Sequence, residues 1–272
     1  MLRETLDGGQ AFRWHAQTGG TWCGHWGKHV VAISADSAAR LQWRSLDPSA
    51  PTRSADVATY FATDRDWPRL ADTLPWRSDA HLARCLAAFP GLRLLRQPFG
   101  ETLLGFLCSA TKQIPQIKQM LGLLATHHGD PTGDGAAALP TWSQLAEIDE
   151  AVLRTCQLGF RARYIKATAL FLAAHPGWLE ATEHAPYPEA KARLCSLPGV
   201  GEKVADCVLL FGAGQLEAFP VDTWIIKAMT RHYGLDGWTP AQVAHFGRQH
   251  FGPAAGFAQQ FLFAWERAHG PR

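Results

Sequence analysis

Residues 197–203 read Leu-Pro-Gly-Val-Gly-Glu-Lys, and Asp222 stands nineteen positions past the lysine, behind Phe219-Pro220-Val221. Pro198 starts a tight turn, and Gly199 and Gly201 allow positive φ and close backbone approach. Glu202 then opens a helix whose first N–H groups have no partner inside it. Free amides beside a glycine hairpin suit an anion such as a phosphate, and they grip a nucleic-acid backbone without reading its sequence. A plain hairpin between two helices would use the same Pro-Gly-x-Gly, so the turn alone leaves both uses open.

Lys203 falls in the first turn of that helix, where the positive end of the helix dipole opposes its charge and favours the neutral, nucleophilic amine. Cys207 lies four residues on, on the same face, within reach of that amine. Asp222 is well typed to cap the next helix, and a carboxylate fixed there can also face a developing cation. Each residue has a bland alternative: a solvated lysine, a core thiol, a structural cap. Only their combination argues for chemistry.

The elements that must position these groups fall into two kinds. Residues 10–14, 20–24, 29–34 and 40–44 read as short strands of a small antiparallel sheet, closed by the turn-rich 47–52. Helical spacing predicts helices over 54–61, 79–88, 99–109, 114–127, 142–148, 150–157, 161–175, 187–196, 202–212, 221–233, 240–250 and 254–269, with a loop over 128–140. The expected fold is α+β, mainly α. An N-terminal sheet domain with flanking helices spans 1–95, and a helical body with the 197–201 hairpin spans 96–272. No internal repeat or low-complexity tract interrupts it.

Composition narrows the classes. Of 272 residues, 47% are hydrophobic and 18% charged, a globular balance rather than a disordered one. No apolar run approaches the roughly 18 residues that cross a bilayer, and the first residues lack a hydrophobic signal core. The expected location is the cytoplasm, with the nucleoid, or a nucleus, and no membrane partner. Six cysteines without a Cys-x-x-Cys pair argue against zinc knuckles, iron–sulfur clusters and disulfide scaffolds. A net charge of +2 permits nucleic-acid binding without suggesting it, so a DNA-facing surface would need local clustering.

Taken together, the hairpin, Lys203 and Pro220-Val221-Asp222-Thr223 resemble the helix-hairpin-helix (HhH-GPD) DNA glycosylase superfamily, and more narrowly its 8-oxoguanine DNA glycosylase/AP lyases. Further matches run from about residue 7 to about 266: Gly8 to Trp14, Gly91 to Gln97, Leu158 to Tyr164, and Gly256 to Phe263. The resemblance implies a monomer acting on damaged double-stranded DNA, which flips the damaged nucleotide out of the duplex. Lys203 would attack the sugar and Asp222 would assist, through a Schiff base and β-elimination, with no metal or redox cofactor required. It also implies that the Gly9 carbonyl accepts the N7–H peculiar to 8-oxoguanine. Gln259 would read the Watson–Crick edge, and Phe263 and Cys207 would sandwich the base. Gly199, Val200 and Gly201 would contact a phosphate, and the Cys195, Leu197 and Val200 carbonyls correspond to a site that often holds a structural monovalent cation.

Some positions depart from the family pattern. Thr111-Lys112-Gln113 replaces an Asn-Asn-Asn stretch whose first residue fills the gap left by the flipped base. Gln116 replaces an arginine that contacts the orphaned cytosine, whereas Arg161 keeps the other arginine position. Phe160 supplies an aromatic wedge where tyrosine is usual, and Trp224 replaces a phosphate-contacting histidine. Lesion recognition is therefore expected intact, with weaker selection for cytosine opposite it. Lys112, Lys118, Arg161, Arg163 and Lys166 are candidates for a local positive surface.

Two rival readings use fewer of these residues. A glycosylase of the same superfamily for alkylated or other oxidised bases shares the fold, but its monofunctional members generally lack the lysine, and cluster-bearing members need C-terminal cysteines absent after Cys207. A non-catalytic hairpin module would explain Gly199 and Gly201 but not Lys203, Asp222, Gln259 and Phe263 together.

Overall fold

The computed structural model describes residues 2–36, 40–133 and 135–270. Met1, Ser37 to Ala39, Asp134 of the expected loop, Pro271 and Arg272 lie outside the described residues. The sheet is a four-stranded antiparallel meander: β1 Trp14–Ala16, β2 Trp22–Trp26, β3 His29–Ala35 and β4 Leu41–Ser45. Trp22 pairs with Ile33, and Ile33 in turn with Trp43. One face buries Trp14, Trp22, Trp26 and Ile33 against Val57, Tyr60, Phe61 and Leu95. Each large apolar side chain so removed from water contributes about 1.5–3 kcal/mol. The Trp14 indole N–H donates to the Tyr60 hydroxyl at 2.9 Å, which satisfies its only polar atom.

The strand expected over 10–14 is corrected: only Trp14 enters the ladder. The Arg13 carbonyl still accepts from the His25 N–H of β2 at 3.2 Å, but Gln10 is held by a different partner, the segment before the helical body. The Gln10 amide donates to the Arg93 carbonyl and accepts from the Leu95 N–H, both at 2.9 Å, while Gln97 donates to the Gln10 carbonyl at 2.6 Å. A buried side chain thus does the work of a neighbouring strand. It docks two of the matching motifs on each other and fixes the backbone of Gly9.

Among the described residues the helices follow the expected order, with three short α-helices beyond those expected: Leu2–Asp7, Trp67–Thr73 and Trp178–Glu183. The helix expected over 202–212 is regular only for Glu202–Val208, then widens through Ala213 to end at Gly214 with φ +69. The 150–157 prediction likewise resolves into Glu150–Leu153 and a widened turn over 154–158. Leu74, Leu82, Cys85 and Phe89 belong to the core of the helical body rather than to that of the sheet. Helix Ala80–Ala88 packs on the last helix, Ala255–His269, so the first third of the chain and its end share one core.

Candidate active site

Helix Tyr187–Cys195 leads into the hairpin, and helix Glu202–Val208 leaves it. The turn is closed by the Val200 N–H donating to the Leu197 carbonyl at 3.2 Å. Gly199 has φ +80, and a Cβ there would lie 2.5 Å from Cγ of Tyr164, so both backbone and packing demand glycine. Gly201 starts the second helix with no side-chain cap, and a Cβ at Gly201 would meet no atom within 4 Å. The hairpin surface is therefore open at Gly201.

Behind the hairpin, an ionic clamp holds the second helix against the first. Asp206, only 1% exposed, accepts from the Tyr187 hydroxyl at 2.8 Å and pairs with Lys191 at 3.2 Å. Lys191 also reaches Glu202 at 3.3 Å, one turn earlier on the same helix. Burial pushes the Asp206 carboxyl up, while Lys191 and the tyrosine hydroxyl pull it back. Two contacts a turn apart set the rotation of the helix, and hence where Lys203 points. Asp206 was not singled out in the sequence, although a carboxylate inside Val-Ala-Asp-Cys-Val is a signal that a buried partner exists.

The Lys203 amine lies 3.4 Å from the Ser109 hydroxyl and 5.1 Å from the centre of the Phe106 ring. Ser109, also unforeseen, donates its own proton to the Phe106 carbonyl at 2.7 Å. No local pattern marks it, because the lysine approaches from another helix. Cys207 does lie close to Lys203 as its spacing implied; burial pushes its thiol up to about 12, and the charge on Lys203 pulls it back. Asp222 caps helix Thr223–Tyr233 by accepting from the Ile225 N–H at 2.9 Å. Burial pushes its carboxyl up, opposed by the Ile225 amide and then by the charge on Lys203.

The structure brings Gly9 and Phe263 together. Gly9 has φ +93, and a Cβ there would lie 3.5 Å from the Phe263 ring and 3.2 Å from Ile114. Gln259 is buried; its amide donates to the Pro220 carbonyl at 3.0 Å and accepts from Gln260 at 2.8 Å. One N–H and one lone pair of Gln259 remain for a ligand. The same bond ties the helix bearing Gln259 to the segment that ends in Asp222.

At the rim, Phe160 is 44% exposed, and Thr111 and Gln116 are exposed. The Gln116 side chain accepts from the Gln113 N–H at 3.1 Å, capping helix Ile114–His128. Trp224 is half-buried, with the Lys227 ammonium 4.9 Å from its ring centre. The expected positive surface needs correction. Arg161 is 3% exposed and bonds internal carbonyls. Lys118 pairs with Asp7 at 2.5 Å and donates to the Trp14 carbonyl, and Lys166 donates to the Ala146 carbonyl. Each found a buried acceptor nearer than solvent. Lys112 and Arg163 remain at the surface, the latter against Tyr164.

Comparison with known proteins agrees with this geometry. The sequence profile described as "8-oxoguanine DNA glycosylase, N-terminal domain" matches residues 1–103, and that of the "HhH-GPD superfamily base excision DNA repair protein" matches residues 107–252. The N-glycosylase/DNA lyase OGG1 of Arabidopsis thaliana is 31% identical over 280 residues, covering 96% of this chain and 76% of the relative. The N-glycosylase/DNA lyase of Saccharomyces cerevisiae is 33% identical, over 65% of this chain and 50% of the relative. Among solved structures, the Clostridium acetobutylicum 8-oxoguanine glycosylase/lyase bound to duplex DNA superposes with a TM-score of 0.92 at 31% identity, covering 100% of this chain and 93% of that one. The Archaeoglobus fulgidus 3-methyladenine DNA glycosylase, at 18% identity and a TM-score of 0.75, shares the fold.

The chain belongs to the HhH-GPD superfamily of base excision DNA repair proteins. Within that superfamily it is a member of the 8-oxoguanine DNA glycosylase family.

Proposed function

We propose that this protein excises 8-oxoguanine from duplex DNA and then cleaves the strand, with Lys203 as the attacking amine. The observation that carries this reading is the placement of the Lys203 amine, 3.4 Å from Ser109 and within electrostatic reach of Asp222, on the scaffold that joins Gly9 to Phe263. The Lys203 nitrogen forms a bond to C1′ as the C1′–base bond breaks, and the base leaves with the bonding electrons and takes a proton from water. Asp222 takes the proton that the amine sheds and stabilises positive charge on the sugar. Ring opening gives an imine between Lys203 and C1′. Loss of a C2′ proton then expels the 3′ phosphate, and water releases the lysine.

Recognition rests on the Gly9 carbonyl, Gln259, and a sandwich between Phe263 and Cys207. A buried acceptor left without its donor costs about 1–3 kcal/mol, enough for one carbonyl to favour 8-oxoguanine over guanine. The hairpin of Gly199, Val200 and Gly201 holds a phosphate, with the Val200 N–H kept for closing the turn, and the protein works as a monomer at the chromosome. The Cys195, Leu197 and Val200 carbonyls suit a monovalent cation, since all three donors are neutral oxygens from one turn. Such an ion would stiffen the turn and takes no part in bond breaking.

The test is a duplex carrying 8-oxoguanine, incubated with the protein and borohydride. The expected result is a covalent adduct that disappears in Lys203→Gln. No adduct with 8-oxoguanine, another oxidised purine or an abasic site would overturn the proposal.

A further inference from the structure

Two non-glycine residues near the site adopt left-handed backbone: Thr111 with φ +56 and Gln157 with φ +61. For a β-branched residue such as Thr111 this conformation is strained and persists only where the surroundings impose it. Both turns are bonded to the same side chain. Arg161 donates from Nε to the Ala110 carbonyl at 3.1 Å, from Nη1 to the Leu158 carbonyl at 3.1 Å, and from Nη2 to the Thr111 hydroxyl at 2.9 Å and again to Ala110. Four of the five guanidinium N–H groups are therefore engaged inside the protein. The face of the guanidinium carries Phe160, whose ring centre lies 4.4 Å from Cζ.

We infer that Arg161 is a positioning residue rather than a reader of DNA: it staples the 110–111 and 157–159 turns so that Thr111 and Phe160 project as a preset pair. The inference rests on the proposed activity and deepens it. A guanidinium with one free N–H has no fork to offer a base edge without abandoning its carbonyls. The pair it holds meets the duplex through a hydroxyl-bearing side chain and an aromatic ring, neither of which requires a particular base on the opposite strand. Ser109 lies on the same segment, two residues before Thr111, so the staple also steadies the oxygen that receives Lys203.

The experiment measures single-turnover base removal, DNA affinity and its salt dependence, with 8-oxoguanine opposite each of the four bases. Arg161→Lys keeps the charge and loses the fork. We expect its rate at saturating enzyme to fall about ten- to a hundred-fold, as sub-ångström misplacement does, equally for all four partners, with affinity and salt slope unchanged. Adding Thr111→Asn, a residue at ease in left-handed backbone, should restore part of that loss. A loss confined to one opposing base would make Arg161 a base reader, a loss carried by affinity and salt slope would make it a phosphate contact, and purely additive effects would exclude coupling; each overturns the inference. Thr111 is exposed, so Thr111→Val keeps the test available if the arginine variant does not fold. Without the hydroxyl it should lose about three- to ten-fold, and an unchanged rate overturns the staple. Failure of the unsubstituted protein to cleave any of the four duplexes would instead remove the activity itself, and the inference with it.

Discussion

The Ser109 hydroxyl stands 3.4 Å from the Lys203 amine with its own proton committed to the Phe106 carbonyl at 2.7 Å. It can therefore only accept from the lysine. This orients the amine whatever its protonation state, because the ammonium and the free amine both have a hydrogen to donate. Ser109→Ala should slow base removal and borohydride trapping together, by about three- to ten-fold for one lost hydrogen bond. Single-turnover rates and adduct yields check this, and an unchanged trapping rate would show that the serine does not hold the amine.

Asp222 is pushed upward by burial, so falling pH protonates it sooner than an ordinary carboxylate of 3.8. The acid limb of the kcat/KM profile should accordingly lie above that value. Stability runs the other way. The folded state binds this proton more tightly than the unfolded chain, so Asp222 contributes most at low pH, and the contribution is lost as pH rises through its raised value. Asp222→Asn keeps a helix cap and removes the buried charge. At pH 7–8 the variant should melt about 2–4 °C higher, while base removal falls by about a hundred-fold or more. Calorimetry and a pH–rate profile together decide the matter; a variant that is both less stable and still active would count against the assignment.

Gly9→Ala should separate the two activities. The new methyl group would press on Ile114 at 3.2 Å and Phe263 at 3.5 Å, at a φ of +93 that alanine tolerates poorly. Lys203 and Asp222 are untouched. Removal of 8-oxoguanine should drop by about ten-fold or more, while cleavage of a duplex already abasic continues. Equal losses on the two substrates would mean that Gly9 serves the fold and not the base.

Selection of the opposing base should be weak. The Gln116 side-chain oxygen is engaged at the start of helix Ile114–His128, and four N–H groups of Arg161 are engaged internally. Base-removal rates opposite the four bases are expected to agree within about ten-fold, the discrimination of one poor contact at about 1.4 kcal/mol. A strong cytosine preference would refute this.

Groups fixed by local chemistry were legible in the sequence: the glycine hairpin, Lys203 in its first helical turn, Asp222 as a cap, and the long periodic helices. Groups whose partners are remote in the chain were not. Nothing near Arg161 or Lys118 indicates that Ala110 or Trp14 offers a carbonyl, and both arginine and lysine read as surface charge until the fold supplies the acceptor. Gln10 reads as the start of a strand from the residues that follow it, yet it lies in a bend and its partner is the 93–97 segment. Helix Trp67–Thr73 does carry a local signal, since Asp66 caps it and Pro68 occupies its first turn. Helix Trp178–Glu183 is too short for periodicity to reveal.

Gly9 and Phe263 come from opposite ends of the chain, whereas Lys203 and Asp222 lie between them. During synthesis the proposed nucleophile leaves the ribosome before the helix that carries Gln259 and Phe263, so on the proposed reading the walls that choose the base close after the amine has emerged. Discrimination between damaged and sound DNA is then assembled later than the chemistry it governs.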